Sequence, residues 1–319
     1  MVRPALVLPP YPDERWELAK QMGVTDAVIH PLEIGDDQTH WTYDELRGLQ
    51  NYLEGDGLRF SVLEGSVPIS DRVRLGLEGR DEDIEVFKQF LRHCGDLGIP
   101  VVCYDWMAGV RWARTEAHNE LRGGSLATGY DNAKMQGGPA VDAAEKSHED
   151  IFEALAYFLE EVVPVAEDAG VKLGLHPDDP PREELRGVPR VVTSVENYDR
   201  ILDVYDSEYN GVTFCQGNFA AMGADIPEAI RHFGEKINFV HFRDVDGDAD
   251  RFVETWHDEG PTDMHAAMEA YVDAVDDEVP MRPDHVPTMA GEDNSNPGYH
   301  TKGRLWAIGY MRGLLDSLE

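Results

Sequence analysis

Four side chains that could bind a divalent metal ion fall at the ends of four successive strand-like runs. His176 ends the run KLGLH and Cys215 ends the run GVTFC. His241 lies near the end of INFVHF, and Asp284 follows VPMRP. Neutral imidazole, thiolate and carboxylate all coordinate divalent metals. We therefore predict one metal site built from these four residues.

The spacings between these four residues are 39, 26 and 43 residues, which suits successive strand–helix units and not a local zinc finger. Taken singly, each residue has a simpler explanation, because a buried cysteine often only packs and an aspartate often caps a helix. Four of them at four adjacent strand ends favour the metal site. The residue types leave the ion open: thiolate and imidazole suit zinc, whereas carboxylate and imidazole also suit Mn²⁺ or Fe²⁺.

Two candidate proton carriers follow the last of these ligands. His285 comes directly after Asp284, and Tyr299 lies fifteen residues beyond Asp284 in a polar, glycine-rich segment. A histidine or a tyrosine beside a metal can act as a general acid or a general base. We predict that His285 and Tyr299 are catalytic, and the sequence leaves open which one is the acid.

Two arginines flank the predicted metal strands. Arg243 and Arg282 could each bind a substrate carboxylate through two parallel hydrogen bonds. The alternative is that they form structural ion pairs with some of the many acidic residues. The sequence leaves both explanations open, and we take substrate binding as the expectation.

Eight apolar runs alternate with amphipathic, helix-like segments along the whole chain. Continuous apolar runs are typical of strands buried on both faces of a parallel sheet. The pattern predicts a (βα)₈ TIM barrel that forms a single domain over residues 1–319. An open doubly wound sheet is less favoured, because its usual glycine-rich turn is absent from PPYPDE after the first run. The eight runs span residues 5–9, 27–31, 59–65, 100–106, 172–179, 211–218, 237–245 and 279–285.

Residues 107–143, after the fourth run, form an unusually long connection. Long connections in compact domains are usually functional or disordered. This one carries Trp112, Tyr130, Arg111 and Arg114. We predict a lid over the active face, and a surface excursion is the alternative.

The composition is strongly acidic, with 62 acidic and 28 basic residues and a net charge of −34. The acidic residues are spread along the chain, so a nucleic-acid partner is not expected, because phosphates would be repelled. Such a charge destabilises a compact state unless salt screens it, which indicates a halophilic protein. An ordinary acidic protein is the alternative.

The sequence also bears on the compartment. It contains no apolar stretch of 18 residues, and its N-terminal apolar run is too short for a signal peptide. Three cysteines are too few for a disulfide framework. We expect a cytoplasmic protein without membrane contact.

Several motifs together resemble the mannonate dehydratase family: HPDDPP, FCQGN, NFVHFRDV, MRPDH and NPGY. The resemblance runs from about Val101 to the C-terminus and is fainter before that. It implies a xylose-isomerase-like barrel that dehydrates D-mannonate to 2-keto-3-deoxy-D-gluconate in hexuronate breakdown. It also implies Mn²⁺ held by the four predicted ligands, catalytic roles for His285 and Tyr299, and a homodimer.

Other functions fit the same pattern of residues. A metal-dependent sugar isomerase or epimerase of the same barrel type is the first alternative, and a dehydratase of another aldonic acid is the second. A DNA phosphodiesterase is disfavoured by the charge of −34. A non-catalytic barrel that binds a sugar acid is the last alternative.

Overall fold

The computed structural model describes residues 2–30, 41–65, 67–135, 137 and 146–318. Eight parallel strands close into a barrel, which confirms the predicted fold. Each strand falls within or beside one of the eight apolar runs. The barrel strands are β1 (Arg3–Leu8), β2 (Asp26–Ile29), β3 (Arg59–Glu64), β4 (Val101–Asp105), β7 (Lys172–His176), β10 (Asn210–Cys215), β11 (Ile237–Phe242) and β14 (Pro280–Pro283). Around the barrel they pair in chain order, and β14 closes onto β1.

Several strands end earlier than the apolar runs predicted. The sixth run was expected to reach residue 218, but β10 stops at Cys215 because helix α7 (Gln216–Ala221) begins there. The seventh was expected to reach residue 245, but β11 stops at Phe242. Pro31, the expected end of the second strand, lies outside the described residues.

The helices between the strands start at the signals that the sequence carries. Thr42 and Ser147 each form a capping box, and Gly170 ends a helix in the left-handed conformation that favours glycine. The remaining helices are α1 (Glu14–Gln21), α2 (Tyr43–Gly55), α3 (Asp71–Arg74), α4 (Arg80–Asp96), α5 (His148–Ala169), α6 (Val195–Leu202), α8 (Ile226–Phe233), α9 (Met264–Ala274) and α10 (Thr301–Asp316).

The strand register brings chemically active side chains to one level of the barrel. Asp105 at the end of β4 pairs with His176 on β7. Cys215 on β10 pairs with His241 on β11, and His241 pairs in turn with Arg282 on β14. Because all eight strands are parallel, these residues share the C-terminal mouth of the barrel, where TIM barrels carry their active sites.

The core has two layers. Inside the barrel lies a small cluster formed by Ala5, Val28, Val62, Val101, Cys103 and Phe239. A much larger apolar layer fills the space between the barrel and the helices. In this layer the ring of Phe158 contacts Phe87, Tyr104 and Trp106, with centroid distances of 5.1–5.8 Å.

The long connection after β4 is folded over the described part of its length. It forms the paired strands β5 (Glu116–Glu120) and β6 (Leu126–Asp131). The connection after β11 forms β12 (Val245–Gly247) and β13 (Arg251–Glu254), which also pair with each other, and β6 pairs with β13. Residues 136 and 138–143 of the predicted lid lie outside the described residues. The four-stranded antiparallel sheet joins two connections that leave the same barrel mouth, and a short hairpin, β8 (Glu184–Leu185) and β9 (Val188–Pro189), follows β7.

In the part of the chain that the structure describes, no helix combines the length and the apolar character needed to cross a membrane.

The layer between barrel and helices predicts a strong effect of truncating Phe158. This side chain is fully buried, so Phe158→Ala should lower the free energy of unfolding by about 3–5 kcal/mol. Tyr52, which is 65% exposed, provides the aromatic control, and Tyr52→Ala should change it by less than about 0.5 kcal/mol. Equal denaturant midpoints for the two variants would contradict this packing.

Candidate active site

The structure brings the four predicted metal ligands together at the barrel mouth. Ligand atoms of His176, Cys215 and His241 all lie within 4.8 Å of one another. Asp284 joins them: its Oδ2 lies 3.8 Å from Cys215 Sγ and 3.7 Å from His241 Nδ1. One thiol, two imidazoles and one carboxylate therefore converge from four neighbouring strands.

The tautomer of His176 is fixed by its own backbone. Its Nδ1 lies 2.7 Å from the carbonyl oxygen of Pro177, which can only accept a hydrogen bond. Nδ1 must therefore carry the proton, and the lone pair of Nε2 is left for a ligand. This arrangement is typical of metal-binding histidines, whose second ring nitrogen donates to a carbonyl or a carboxylate.

Cys215 lies beside the guanidinium group of Arg243. Nε of Arg243 donates to Cys215 Sγ at 3.4 Å and also lies 3.0 Å from Asp284 Oδ2. Cysteine coordinates metal ions as the thiolate. The donor set and the His176 tautomer together fit a divalent cation.

A second group of potential ligands shares His241. It consists of Glu64, Cys103 and His241. The two oxygens of Glu64 are already engaged by Arg282, at 2.7 and 2.9 Å. Burial, together with the negative charge of Glu64, holds the pKa of the Cys103 thiol well above its usual value. Because Cys103 is thereby kept as a neutral thiol, we favour the first group as the metal site.

A buried network of ion pairs surrounds these ligands. Arg282 contacts Glu64 and Asp284, and Arg243 contacts Asp284, Glu254 and Asp179. Arg114, from the connection after β4, completes the network through Asp179 and Glu254, at 2.5 and 2.7 Å. Three guanidinium groups thus share four carboxylates, and all seven side chains are at least nine-tenths buried.

The pKa values of the carboxyl groups reflect this network. Burial alone would raise the pKa of Asp284, but Arg282 and other nearby positive charges hold it well below its usual value. Burial would also raise the pKa of Glu254, but nearby positive charges, led by Arg243, lower it to about 2. These carboxylates are ionised at neutral pH, so they offer negative charge to a cation.

The charges of the network do not balance without one more cation. Four carboxylates against three arginines leave a charge of −1, and a thiolate at Cys215 makes it −2 when the histidines are neutral. Buried charge without compensation is strongly destabilising. A divalent cation at the four ligands would bring the sum to zero.

The expectation that Arg243 binds substrate stays a prediction, and the geometry favours the ion-pair alternative. Its guanidinium is fully buried and is already bonded to Glu254, Asp179 and Asn218. Arg282 does line the cavity above the site, yet its nitrogens are engaged by Glu64 and Asp284. Both arginines hold acidic residues in place.

His285 and Tyr299 form a hydrogen-bonded pair beside the ligands. His285 Nε2 lies 2.6 Å from the hydroxyl of Tyr299, and Nδ1 lies 2.8 Å from Glu254 Oε1. Because the ionised Glu254 accepts a hydrogen bond from Nδ1–H, Nε2 is left to accept the hydrogen bond from Tyr299. Burial raises the pKa of the Tyr299 phenol. The three groups make a carboxylate–imidazole–phenol relay.

His285 and Tyr299 of the relay, together with the ligands His176 and Asp284, line a cavity of about 190 Å³, which we call the inner cavity. Trp112, from the predicted lid, closes one side of it, and its ring lies 5.7 Å from that of His285. His30, Glu64 and Asp179 also line it, and the sequence analysis gave them no role. Glu64 and His30 end or follow barrel strands, so the criterion that found the four ligands could have found them too.

The chain is similar to known proteins over most of its length. The family model described as D-mannonate dehydratase (UxuA) matches residues 15–146 and 139–319. Mannonate dehydratase 2 of Halalkalibacterium halodurans is 35% identical, over 92% of this chain and 91% of its own length. Mannonate dehydratase of Thermotoga maritima is also 35% identical, over 88% of this chain and 87% of its own.

Solved structures agree at the level of the fold and of the family. The crystal structure of mannonate dehydratase from Streptococcus suis superimposes with a TM-score of 0.91 at 31% identity, covering 99% of this chain and 95% of that one. A xylose isomerase domain protein from Planctomyces limnophilus, at 13% identity and a TM-score of 0.61, shares the fold alone. It covers 99% of this chain and 96% of its own.

The fold and the site define a xylose-isomerase-like TIM barrel with a hydrogen-bonded histidine–tyrosine pair beside a cluster of side chains that could hold a metal ion. Within that class, the chain belongs to the mannonate dehydratase family, whose members are hydro-lyases. The family resemblance seen in the sequence motifs is therefore confirmed. The isomerase, phosphodiesterase and non-catalytic alternatives are not supported.

The two thiol-containing groups allow a matched test of the metal site. Cys215→Ala and His176→Ala should each lower the bound metal to about one tenth or less of the wild-type content, because a first ligand is lost. Cys103→Ala, which removes an equally buried thiol from the second group, should leave it unchanged. Metal content after dialysis is measured by mass spectrometry. If Cys103→Ala lost its bound metal while Cys215→Ala kept it, the ion would belong to the second group, and the proposed ligand set would be wrong.

Proposed function

We propose that this protein converts D-mannonate to 2-keto-3-deoxy-D-gluconate and water, with Mn²⁺ held by His176, Cys215, His241 and Asp284. Relatives named mannonate dehydratase at 35% identity support the substrate. The observation that carries the mechanism is the His285–Tyr299 pair, joined at 2.6 Å and lining the same cavity as the two ligands His176 and Asp284.

The reaction requires the loss of a proton from C2 and of a hydroxyl from C3. One member of the Tyr299–His285 pair removes the C2 proton, and the other protonates the departing C3 hydroxyl, which leaves as water. The resulting enol takes a proton at C3 and becomes the 2-keto acid, so no redox cofactor is consumed. Because the two groups share a hydrogen bond, a proton taken by one can be passed to the other.

The surrounding residues orient this pair. Glu254 accepts from Nδ1 of His285 and so fixes the imidazole tautomer. Arg114 donates to the same oxygen of Glu254, Oε1, at 2.7 Å and ties the relay to the predicted lid. A divalent cation at the four ligands would act as a Lewis acid for the negative charge that develops on the enediolate when C2 loses its proton. The lid residue Trp112 narrows the cavity and limits the access of water.

Removing the Tyr299 hydroxyl tests the proton relay. Tyr299→Phe should lower kcat by about 100-fold or more, because a positioned acid or base is lost, while the metal content stays at the wild-type level. Tyr205→Phe is the control, since that hydroxyl lies near Glu167 on the outside of the barrel. Formation of the 2-keto-3-deoxy acid is followed with thiobarbituric acid. Wild-type turnover by Tyr299→Phe would remove this residue from the mechanism.

We also propose a cytoplasm of high salt concentration as the setting of this enzyme. The net charge of −34 supports it, and so do the three cysteines, which are free and buried. The homodimer implied by the family resemblance stays a prediction.

The charge predicts a strong dependence of stability on salt. Raising KCl from 0.1 M to 1 M shortens the Debye length from about 10 Å to about 3 Å and screens the repulsion between surface carboxylates. The melting temperature should therefore rise by about 10 °C or more, as followed by circular dichroism. Sucrose at equal osmolality, which does not screen charge, should give a clearly smaller rise. Equal melting temperatures at both KCl concentrations would contradict the halophilic assignment.

A further inference from the structure

A second cavity lies on the solvent side of the inner one. It has a volume of about 470 Å³, and we call it the outer cavity. His30, Trp112 and Tyr299 line both cavities, so the two are contiguous. A ligand moving from solvent through the outer cavity reaches the proposed metal ligands past these three side chains.

Arg304 projects into the outer cavity from the first turn of α10. Its guanidinium carbon lies 5.3 Å from the ring centre of Tyr299. Its one side-chain hydrogen bond among the described residues is a long one, 3.4 Å, from Nη1 to the carbonyl oxygen of Val7. No carboxylate within the described ranges lies at ion-pair distance from it.

The lack of a carboxylate partner among the described residues distinguishes Arg304 from the other arginines that line the two cavities. Arg15 is paired with Asp13 at 2.8 Å through Nε, and Arg282 is held by Glu64 and Asp284. The chain has 62 acidic residues for 28 basic ones, so a partly buried arginine with no acidic partner in the part of the chain that the structure describes stands out. Burial and the positive charge of Arg282 lower the pKa of Arg304 to about 10.

The sum of charges around the site indicates an anionic substrate as the partner of Arg304. With a divalent cation, the ion-pair network around the ligands sums to zero, so it contributes no net attraction for an anion. An aldonate brings a charge of −1, and Arg304 supplies the +1 that would compensate it. Arginine also matches a carboxylate geometrically through two parallel N–H donors.

We propose that Arg304 is the residue that binds the carboxylate of the incoming sugar acid and selects sugar acids over neutral sugars and polyols. The proposal rests on the proposed function for the identity of the sugar acid. Arg304 thereby takes the role that the sequence suggested for Arg243 and Arg282. Because its role is to bind the carboxylate and not to move a proton, Arg304 is a specificity residue and not a catalytic one.

The test compares three variants of the Mn²⁺-loaded enzyme in molar KCl. Arg304→Gln removes the charge, Arg304→Lys keeps the charge without the paired donors, and Arg15→Gln removes an equal charge from the same cavity wall. Binding of 2-keto-3-deoxy-D-gluconate, the proposed product, is measured by titration calorimetry, with D-mannitol as the neutral comparison. KM and kcat for D-mannonate are measured in parallel, and melting temperatures report folding.

Arg304→Gln should weaken product binding and raise KM by at least about tenfold, since a charge-assisted hydrogen bond is lost. Arg304→Lys should show a smaller increase of both, and this variant carries the test if Arg304→Gln does not fold. Arg15→Gln should stay within about twofold of wild type, because its charge is already neutralised by Asp13. The preference for the acid over mannitol should shrink in Arg304→Gln alone.

Three results would overturn the proposal. Wild-type product affinity in Arg304→Gln is the first. A lower kcat at unchanged KM and product affinity is the second, because it would make Arg304 a positioning residue for Tyr299. Equal losses in Arg15→Gln are the third, because they would show a general charge effect. A wild-type enzyme that binds sugar acids but does not dehydrate mannonate would refute the proposed function and leave Arg304 testable by binding.

Discussion

Charge compensation in a buried space is the constraint on which the rest of this site depends. Four carboxylates, three guanidinium groups and a thiol are packed at one barrel mouth, where at least nine-tenths of each side chain is buried. An uncompensated charge there costs several kcal/mol. The geometry therefore leaves little freedom: each arginine is held by at least two acidic residues, and the negative charge that remains is concentrated at the four side chains suited to a divalent cation.

The same network links the chemistry to the fold. Glu254 comes from the connection after β11, Arg114 from the connection after β4, and Asp179 from the turn after β7. These three meet only when the antiparallel sheet above the barrel has formed, because that sheet joins the first two connections. Glu254 can therefore orient His285 only when the predicted lid has folded. Removing one partner of an ion pair would leave a buried charge uncompensated and close to other charges of the same sign.

The barrel and the ligand set could be predicted from sequence because both rest on local signals. A continuous apolar run indicates a strand buried on both faces, and a ligand at its end must reach the barrel mouth. The partners of Arg243 could not be predicted. Many acidic residues are available to it along the chain, and only the closed barrel decides which of them come within about 3.2 Å. Arg304 was missed for the opposite reason: an arginine in a helix resembles any other until its surroundings show no acidic partner.

The central claim is that four residues distant in sequence bind one metal ion together. It can be tested directly by anomalous diffraction from crystals soaked in Mn²⁺, recorded at the manganese absorption edge. The account predicts one strong anomalous peak per chain, within about 2.0–2.6 Å of His176 Nε2, Cys215 Sγ, an imidazole nitrogen of His241 and a carboxylate oxygen of Asp284. A peak centred between Glu64 and Cys103, or no peak at the barrel mouth of a fully folded chain, would contradict it.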